Sequence, residues 1–516
     1  MSWLLSSFQQ QFQRHFHLPF SSLAPIFTGT VAVALLDLLP PEQPNHAWPA
    51  PNFVLLADIH GASDALKNIL EHHVIPMVQS QVPGVELRRE SANGITSYTL
   101  SNGKIQFAYA LTEHLFVLAR SSESIQRLIL RTSNTPISSS SQRSLFRTET
   151  YQTSYRQIFQ QHHDGRLYVN IQRIWRTLRP FIQQRCFSSQ TPENQLLFQL
   201  LDLYRLTTLS WQFLYTDTGG REKFFWTVPF PHKPIDRSFS LLAGFSDIGN
   251  GFLTSDQIVS AKTLYYGASR IDALQIWHDL STLVESFLSP QQQEQFQRKI
   301  AAFEHHIQLH VEQEFFPAFG QELAIACYEK RLPAQQQTLL TPEDFPCALF
   351  IQITQQHAIE QVLRRLSTDV FPPSNLPQTE SWEIHIPGII KPAILYAAFV
   401  RDFLVLSVSR SVIQESLRVA AQGGSLASTP DYQALSAFFP KEGYAKGYIN
   451  LPRLFRRVPE IPEQLALRAP SSGMMWVTTV ANNGFLTESF SPIGGIITGA
   501  ATIWLDFMMS DNVPGS

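Results

Sequence analysis

The sequence predicts an α+β protein made of two tandem homologous modules, each a mainly antiparallel sheet with packed helices. Three observations carry that expectation. Short apolar words recur in the same order in the two halves, strand-like runs are joined by short turns, and helix-like runs with one apolar face are interleaved with them.

The recurrence is clearest in Tyr168-Val169-Asn170-Ile171-Gln172-Arg173-Ile174-Trp175-Arg176, which returns as Tyr448-Ile449-Asn450-Leu451-Pro452-Arg453-Leu454-Phe455-Arg456. Each change at an apolar position is to another apolar residue. Upstream, Ser144-Leu145 with Tyr151-Gln152 matches Ser425-Leu426 with Tyr432-Gln433, and Val117-Leu118 with Ile125-Gln126 matches Val405-Leu406 with Ile413-Gln414. Val31-Ala32-Val33-Ala34 corresponds to Leu323-Ala324-Ile325-Ala326, and Trp211 with Gly219 to Trp476 with Gly484. The spacing between matched words shrinks steadily along the chain, as loop deletions in a second copy would produce. The modules are assigned to residues 1–235 and 236–516.

Within the first module, Phe53 to Ala57 reads as a buried strand. Asp64 to Leu70 reads as a helix with Ala65, Leu66, Ile69 and Leu70 on one face. Ile95 to Leu100, Ile105 to Leu111 and Leu115 to Ala119 read as three strands, and Asn102-Gly103 predicts a tight antiparallel hairpin. Ser124 to Leu130 is a second helix, with its counterpart at Val412 to Leu417. Asn170 and Asn450 stand where an extended run turns helical, the position at which an Asn side chain caps free amides. Pro452 is compatible with a first helical turn, which has no internal donor to lose. Trp211 to Tyr215 and Phe224 to Val228 form a closing hairpin about Gly219-Gly220, echoed by Met475 to Val480 and Phe485 to Phe490 about Asn483-Gly484.

The second module is preceded by Lys262 to Leu280, read as a strand around Leu264 to Gly267 and a helix from Asp272. The first has no such stretch before Phe8, so either that element is lacking or the reading frame starts further upstream with an export signal or anchor. Met1 to Phe20 as written carries no signal peptide, because Gln9, Gln10, Gln11, Gln13 and Arg14 interrupt it.

Composition narrows the function classes. With 44% hydrophobic and 12% aromatic residues the chain can fill real cores, which excludes a disordered or fibrous protein. A net charge of -3 offers no global field for nucleic acid or anionic lipid. The three cysteines, Cys186, Cys327 and Cys347, are widely spaced, leave one over in any pairing, and read as core fillers. Ser489 to Leu505 is an uncharged Gly-rich apolar run, too short for a spanning helix; it suggests peripheral membrane contact or a buried segment.

Candidate chemistry is sparse. Leu55-Leu56-Ala57-Asp58-Ile59-His60-Gly61 looks like the first metal-binding motif of the calcineurin-like metallophosphoesterases. The blocks that would complete a dinuclear site are missing, so Asp58 and His60 read as a strand end and helix start. His306 and His310 fall one helical turn apart, a spacing that can seat a metal, but without the Glu of a zincin they read as a solvated helix face. No cofactor is expected. The candidate binding residues are the paired motif positions Tyr168, Asn170, Arg173 and Arg176, with Tyr448, Asn450, Arg453 and Arg456. Their arginines could gather an anion or a partner carboxylate near a capped helix start; packing over the neighbouring sheet is the plainer reading.

In order, a Gly-containing amphipathic start, Phe-Val-Leu-Leu-Ala-Asp from Phe53, the helix, Phe-Val-Leu-Ala-Arg-Ser from Phe116, Ser144-Leu145 and Tyr168-Val169-Asn170-Ile171 resemble a bacterial family of uncharacterised proteins. That family consists of duplicated α+β modules, usually exported or anchored in the cell envelope. The resemblance implies a non-enzymatic binding or scaffold protein of the envelope or periplasm, with a protein or amphiphilic ligand as partner. The competing expectations are a metal-dependent phosphoesterase using Asp58 and His60, and a lipid carrier.

Overall fold

The first half of the chain runs through two long strands, β1 (Val31–Leu39) and β2 (Ala50–Asp58), into a continuous helical connection and four shorter strands. The computed structural model describes residues 30–39, 50–92, 95–102, 106–132, 148–159, 163–186, 207–216, 219–228, 248–328, 346–367, 369–371, 381–386, 393–455, 472–481 and 483–492, with positions 13, 25 and 26. After β2 come α1 (Ser63–Ile69), a π-helical turn (Leu70–Val74) and α2 (Ile75–Gln81). The helix expected over Asp64 to Leu70 therefore begins at Ser63 and runs on to Gln81. Pro76 has no amide to return to the preceding turn, and the wider turn lies just before it.

Next are β3 (Glu86–Ala92), β4 (Ile95–Ser101), β5 (Gln106–Leu111), β6 (Leu115–Ala119) and α3 (Ser122–Thr132). Ser101 faces Gln106 across β4 and β5, so the connection at Asn102 is longer than the two-residue turn the Asn-Gly pair suggests. The half closes with α4 (Glu149–Ser154), β7 (Gly165–Val169), α5 (Ile171–Cys186), β8 (Thr208–Thr216) and β9 (Gly219–Thr227).

The second half opens on β10 (Thr263–Arg270), α6 (Ala273–Phe287) and α7 (Pro290–Ile307). Asp272 caps α6 by accepting from the Gln275 amide, and Ser289 with Gln292 forms a capping box on α7. Then follow β11 (Phe319–Tyr328), β12 (Cys347–Ile353), α8 (Gln356–Leu366), β13 (Asp369–Phe371), β14 (Ser381–Ile386), β15 (Ala393–Val400) and β16 (Phe403–Ser407). The last elements are α9 (Arg410–Gln422), α10 (Pro430–Ser436), β17 (Ala445–Ile449), α11 (Leu451–Phe455), β18 (Met474–Ala481) and β19 (Gly484–Ser491).

The chain is α+β, and among the described residues every strand pairing is antiparallel. One sheet has the order β1-β2-β6-β5-β4-β3, and the other β13-β14-β15-β16-β12-β11-β10-β17-β18-β19-β9-β8-β7. Order and register recur between the halves. Val54 faces Ala119 and Leu56 faces Val117 in β2–β6; Ala348 faces Ser407 and Phe350 faces Val405 in β12–β16. Trp211 faces Phe224 and Thr216 faces Gly219 in the β8–β9 hairpin; Trp476 faces Ser489 and Ala481 faces Gly484 in β18–β19.

By compactness the chain divides into one unit of Met1–Arg147, Arg176–Arg185 and Ala501–Ser516, and another of Thr148–Trp175 and Cys186–Ala500. Contacts and not sequence likeness set this division: β7, β8 and β9 join the larger unit because β9 pairs with β19.

Each six-stranded array is covered on both faces, which is why its central strands are apolar at successive positions. In the smaller unit Ala57 and Ile59 pack with Leu66 of α1, while Val54, Val117 and Ala119 pack with Ile125 of α3. In the larger unit Ile353 packs with Ile359 and Leu363 of α8, while Phe350 and Val405 pack with Val412, Ile413 and Leu417 of α9. The layers are thus helix, sheet, helix in both.

Cys327 and Cys347 do not behave as separate core fillers. β11 and β12 place them directly opposite, and they form a disulfide. Their wide spacing along the chain conceals this, because register in a hairpin is set by pairing and not by proximity in sequence. The bridge spans 20 residues, so Cys347→Ser is expected to lower the stability of the larger unit by about 3 kcal/mol. Denaturant unfolding without reductant measures this, and dithiothreitol should lower the parent protein to the same level.

Candidate functional site

Strands of the larger unit carry few charges: Glu222 of β9 is buried opposite Ser489 of β19, whereas Glu322 of β11 and Lys446 of β17 converge on the turn ahead of β10. Glu322 on β11 is 2% exposed. It accepts from the backbone amides of Thr254 and Ser255 at 2.7 and 2.8 Å, which ties that turn to the sheet. One residue on, Asp256 accepts from the Lys446 ammonium of β17 at 2.6 Å and from the Tyr432 hydroxyl of α10 at 2.8 Å. Lys446 also donates to the Leu253 carbonyl. The Ser255 and Tyr266 hydroxyls share a hydrogen bond of 2.8 Å. Alongside, Tyr448 donates to Asp431 at 2.7 Å, and the same carboxylate accepts from the Gly473 amide.

Burial pushes the Tyr266 and Tyr432 hydroxyls well above their usual range, reinforced in both by the nearby Asp256 carboxylate. Tyr448 is raised too, first by burial and then by its bond to Asp431. All three therefore stay protonated donors at physiological pH. The arrangement is a buried polar joint between the turn at Ser255, β10, β11, β17 and α10. Its carboxylates are occupied by donors of the fold. Asp256, Glu322, Lys446, Tyr266 and Tyr432 were not singled out by sequence reasoning; the available signal is that Glu322 and Lys446 interrupt otherwise uncharged strands.

The paired motif positions hold matching folding devices. Asn170 accepts from the Arg173 amide at 2.8 Å, and Asn450 from the Arg453 amide at 3.1 Å, so both cap helix starts as expected. Tyr168 meets the ring of Tyr151 edge-on at 5.0 Å, and Tyr448 meets Tyr432 likewise at 5.4 Å. Thr150 bonds the Tyr168 hydroxyl where Asp431 bonds Tyr448. Burial raises the Tyr168 hydroxyl as it does Tyr448. Arg173 and Arg176 are exposed on α5, Arg453 is half-buried, and Arg456 lies outside the described residues.

The metal candidates are placed by backbone needs. Asp58 accepts from the His60 amide at 3.0 Å and lies 3.1 Å from its ring nitrogen Nδ1, closing a turn on itself. His60 and Gly61 have φ of 42° and 79°, the left-handed step that swings the chain from β2 into α1. The expected helical spacing of His306 and His310 is overturned. α7 stops at Ile307, Gln308 is left-handed with φ of 51°, and His310 lies outside the helix. Among the described residues no group of three or more His, Cys, Asp or Glu side chains could hold a metal ion, and no helix is long and apolar enough to cross a membrane. Of the apolar run from Ser489, the first residues end β19, and those beyond Pro492 lie outside the described residues.

At the edge of this joint, Glu415 of α9 accepts from Arg418 at 2.8 Å and from Ser260 at 2.7 Å. The Arg418 guanidinium, with Ser260 and Lys262, holds its carboxyl down to about 2. Comparison with family models, with curated proteins and with solved structures finds no match to this chain.

Three outcomes follow for urea unfolding of the larger unit. Lys446→Met leaves Asp256 buried without its cation and should cost about 3–5 kcal/mol, most of which Asp256→Leu in the same chain should restore. Asn450→Ala should cost about 1 kcal/mol through the lost cap. Glu415 has a folded pKa below its unfolded one, so its contribution is present above the model-compound value of 4.5 and is lost as pH falls toward about 2. Glu415→Gln should accordingly cost about 1 kcal/mol near neutrality, allowing for solvent screening, and nothing in strong acid.

Proposed function

We propose that this chain is a non-enzymatic binding or scaffold protein of the bacterial cell envelope, built from two copies of one α+β module. The observation that carries the reading is what the two halves hold in common. They share strand order, register, an Asn-capped helix start and an edge-on tyrosine pair, all of which serve folding. The polar joint at Asp256 and Lys446 depends on β10 and so belongs to the second half alone. A duplicated enzyme would be expected to keep reactive groups in at least one copy, whereas the polar side chains that converge here are held by the fold's own donors.

Two further points favour the envelope. The Cys327–Cys347 disulfide belongs to an oxidising compartment. The resemblance of Phe53 to Asp58 and of Phe116 to Ser121 to the exported bacterial family points the same way. A protein or amphiphile partner fits a protein with an apolar sheet edge, where Val31 and Val33 are 52% and 64% exposed.

Fractionation of the producing cells should put the protein in the envelope or periplasm with Cys327 and Cys347 resistant to alkylation. The purified protein should hold metal well below stoichiometry and release no phosphate from a generic phosphoester. A cytosolic pool with both thiols free would contradict the envelope assignment. Stoichiometric metal lost on Asp58→Ala would replace the scaffold reading with a phosphoesterase.

A further inference from the structure

We propose that the edge of β1 left unpaired among the described residues is a docking site for a partner polypeptide that adds one extended strand with the side-chain pattern of β10. The proposal rests on reading the two halves as copies, and it names the surface and the class of partner that such a scaffold uses.

The larger unit displays the occupied form of this edge. β11 corresponds to β1, and it is paired on one side with β12 and on the other with β10. The Ile271 amide donates to Gln321, which fixes Ser269 opposite Leu323 and Gly267 opposite Ile325 as the positions exchanging backbone bonds between β10 and β11. In the smaller unit β1 ends the sheet, with β2 its neighbour among the described residues. The Asp58 amide donates to Thr30, so Ala32 and Ala34 turn their backbone groups toward β2. Val31 and Val33 therefore direct theirs outward, and they are the counterparts of Leu323 and Ile325.

The side chains agree with the backbone. Ala324 and Ala326 on β11 are 1% and 0% exposed. Their counterparts Ala32 and Ala34 are exposed, and Val31 and Val33 are 52% and 64% exposed. Unprotected apolar edges template strand addition, and proteins that leave an edge bare usually guard it with charge. The opposite edge of this same sheet is so guarded: β3 carries Glu86, Arg88, Arg89 and Glu90. β1 carries no charge from Val31 to Leu35.

The occupant follows from β10, Thr263-Leu264-Tyr265-Tyr266-Gly267-Ala268-Ser269-Arg270, which sets Gly267, Ala268 and Ser269 against Ile325, Ala324 and Leu323, lays Tyr266 over Ala326, and carries no charge before its last position. A partner strand of that kind supplies backbone bonds to Val31 and Val33 and covers Ala32 and Ala34. This is β-strand addition, in which main-chain bonds give affinity and alternate side chains give selectivity.

The test uses the full chain and a synthetic peptide of residues 262–271. Titration should show saturable binding, with amide exchange at Val31 and Val33 slowed by at least about tenfold. A scrambled peptide should do neither. Val33→Pro removes an outward donor while sparing the β2 ladder and should abolish binding. Should that variant lose its far-UV signal, Val33→Lys, which only charges the edge, should weaken binding by about tenfold in a folded protein. Binding without slowed exchange at β1, equal binding of the scrambled peptide, or no binding would overturn the proposal and leave the envelope assignment to its own test. Protection of β1 that rises with protein concentration alone would also overturn it, because a second copy would then be the occupant.

Discussion

Everything in the larger unit depends on the two backbone ladders of β10. One edge of that strand bonds β11 and the other bonds β17, so two groups of strands that begin far apart in the chain become one sheet. Backbone amides and carbonyls are obligatory hydrogen-bonding groups, and a strand satisfied on both edges leaves neither neighbour with an open one. The turn before β10 is secured by the carboxylates of Glu322 and Asp256, and Lys446 pins the far side. The polar joint is therefore best understood as the lock on this strand. Its charges are buried but paired, which favours a single arrangement over slipped alternatives.

The first half has the elements that flank β10 and lacks β10 among its described residues. Its counterparts of β11 and β17 accordingly end two different sheets, β1 in one and β7 in the other. Joining of the halves is achieved instead by β9 and β19, the last strands of each, whose edges pair over their full length. Among the described residues, the ladder that β10 closes on β11 therefore has no equivalent on β1.

Much of the frame was legible in the sequence because the signals were periodic and local. The hairpins around Gly219 and Asn483, the strand at Leu264 and the helix capped by Asp272 follow from turn residues, alternation and capping, which act over a few positions. The Asn170 and Asn450 caps were readable for the same reason. β3 was missed because Glu-Leu-Arg-Arg-Glu-Ser-Ala has the charges of a guarded edge strand and little of its apolar alternation. The polar joint was missed because it assembles side chains from the turn at Ser255, β11, α10 and β17, a convergence that no spacing along the chain encodes. The histidine pair misled because the periodicity of α7 runs past Ile307, while a left-handed Gln308 ends the helix.

The central claim is that β1 and β11 are the same strand of one repeated framework in an uncovered and a covered state. Residue-resolved hydrogen exchange on the isolated full chain tests it most directly. The account predicts strong protection of the Leu323 and Ile325 amides and rapid exchange of Val31 and Val33, with Ala32 and Ala34 protected by β2. Equal protection of Val33 and Ile325, or rapid exchange of both, would contradict it.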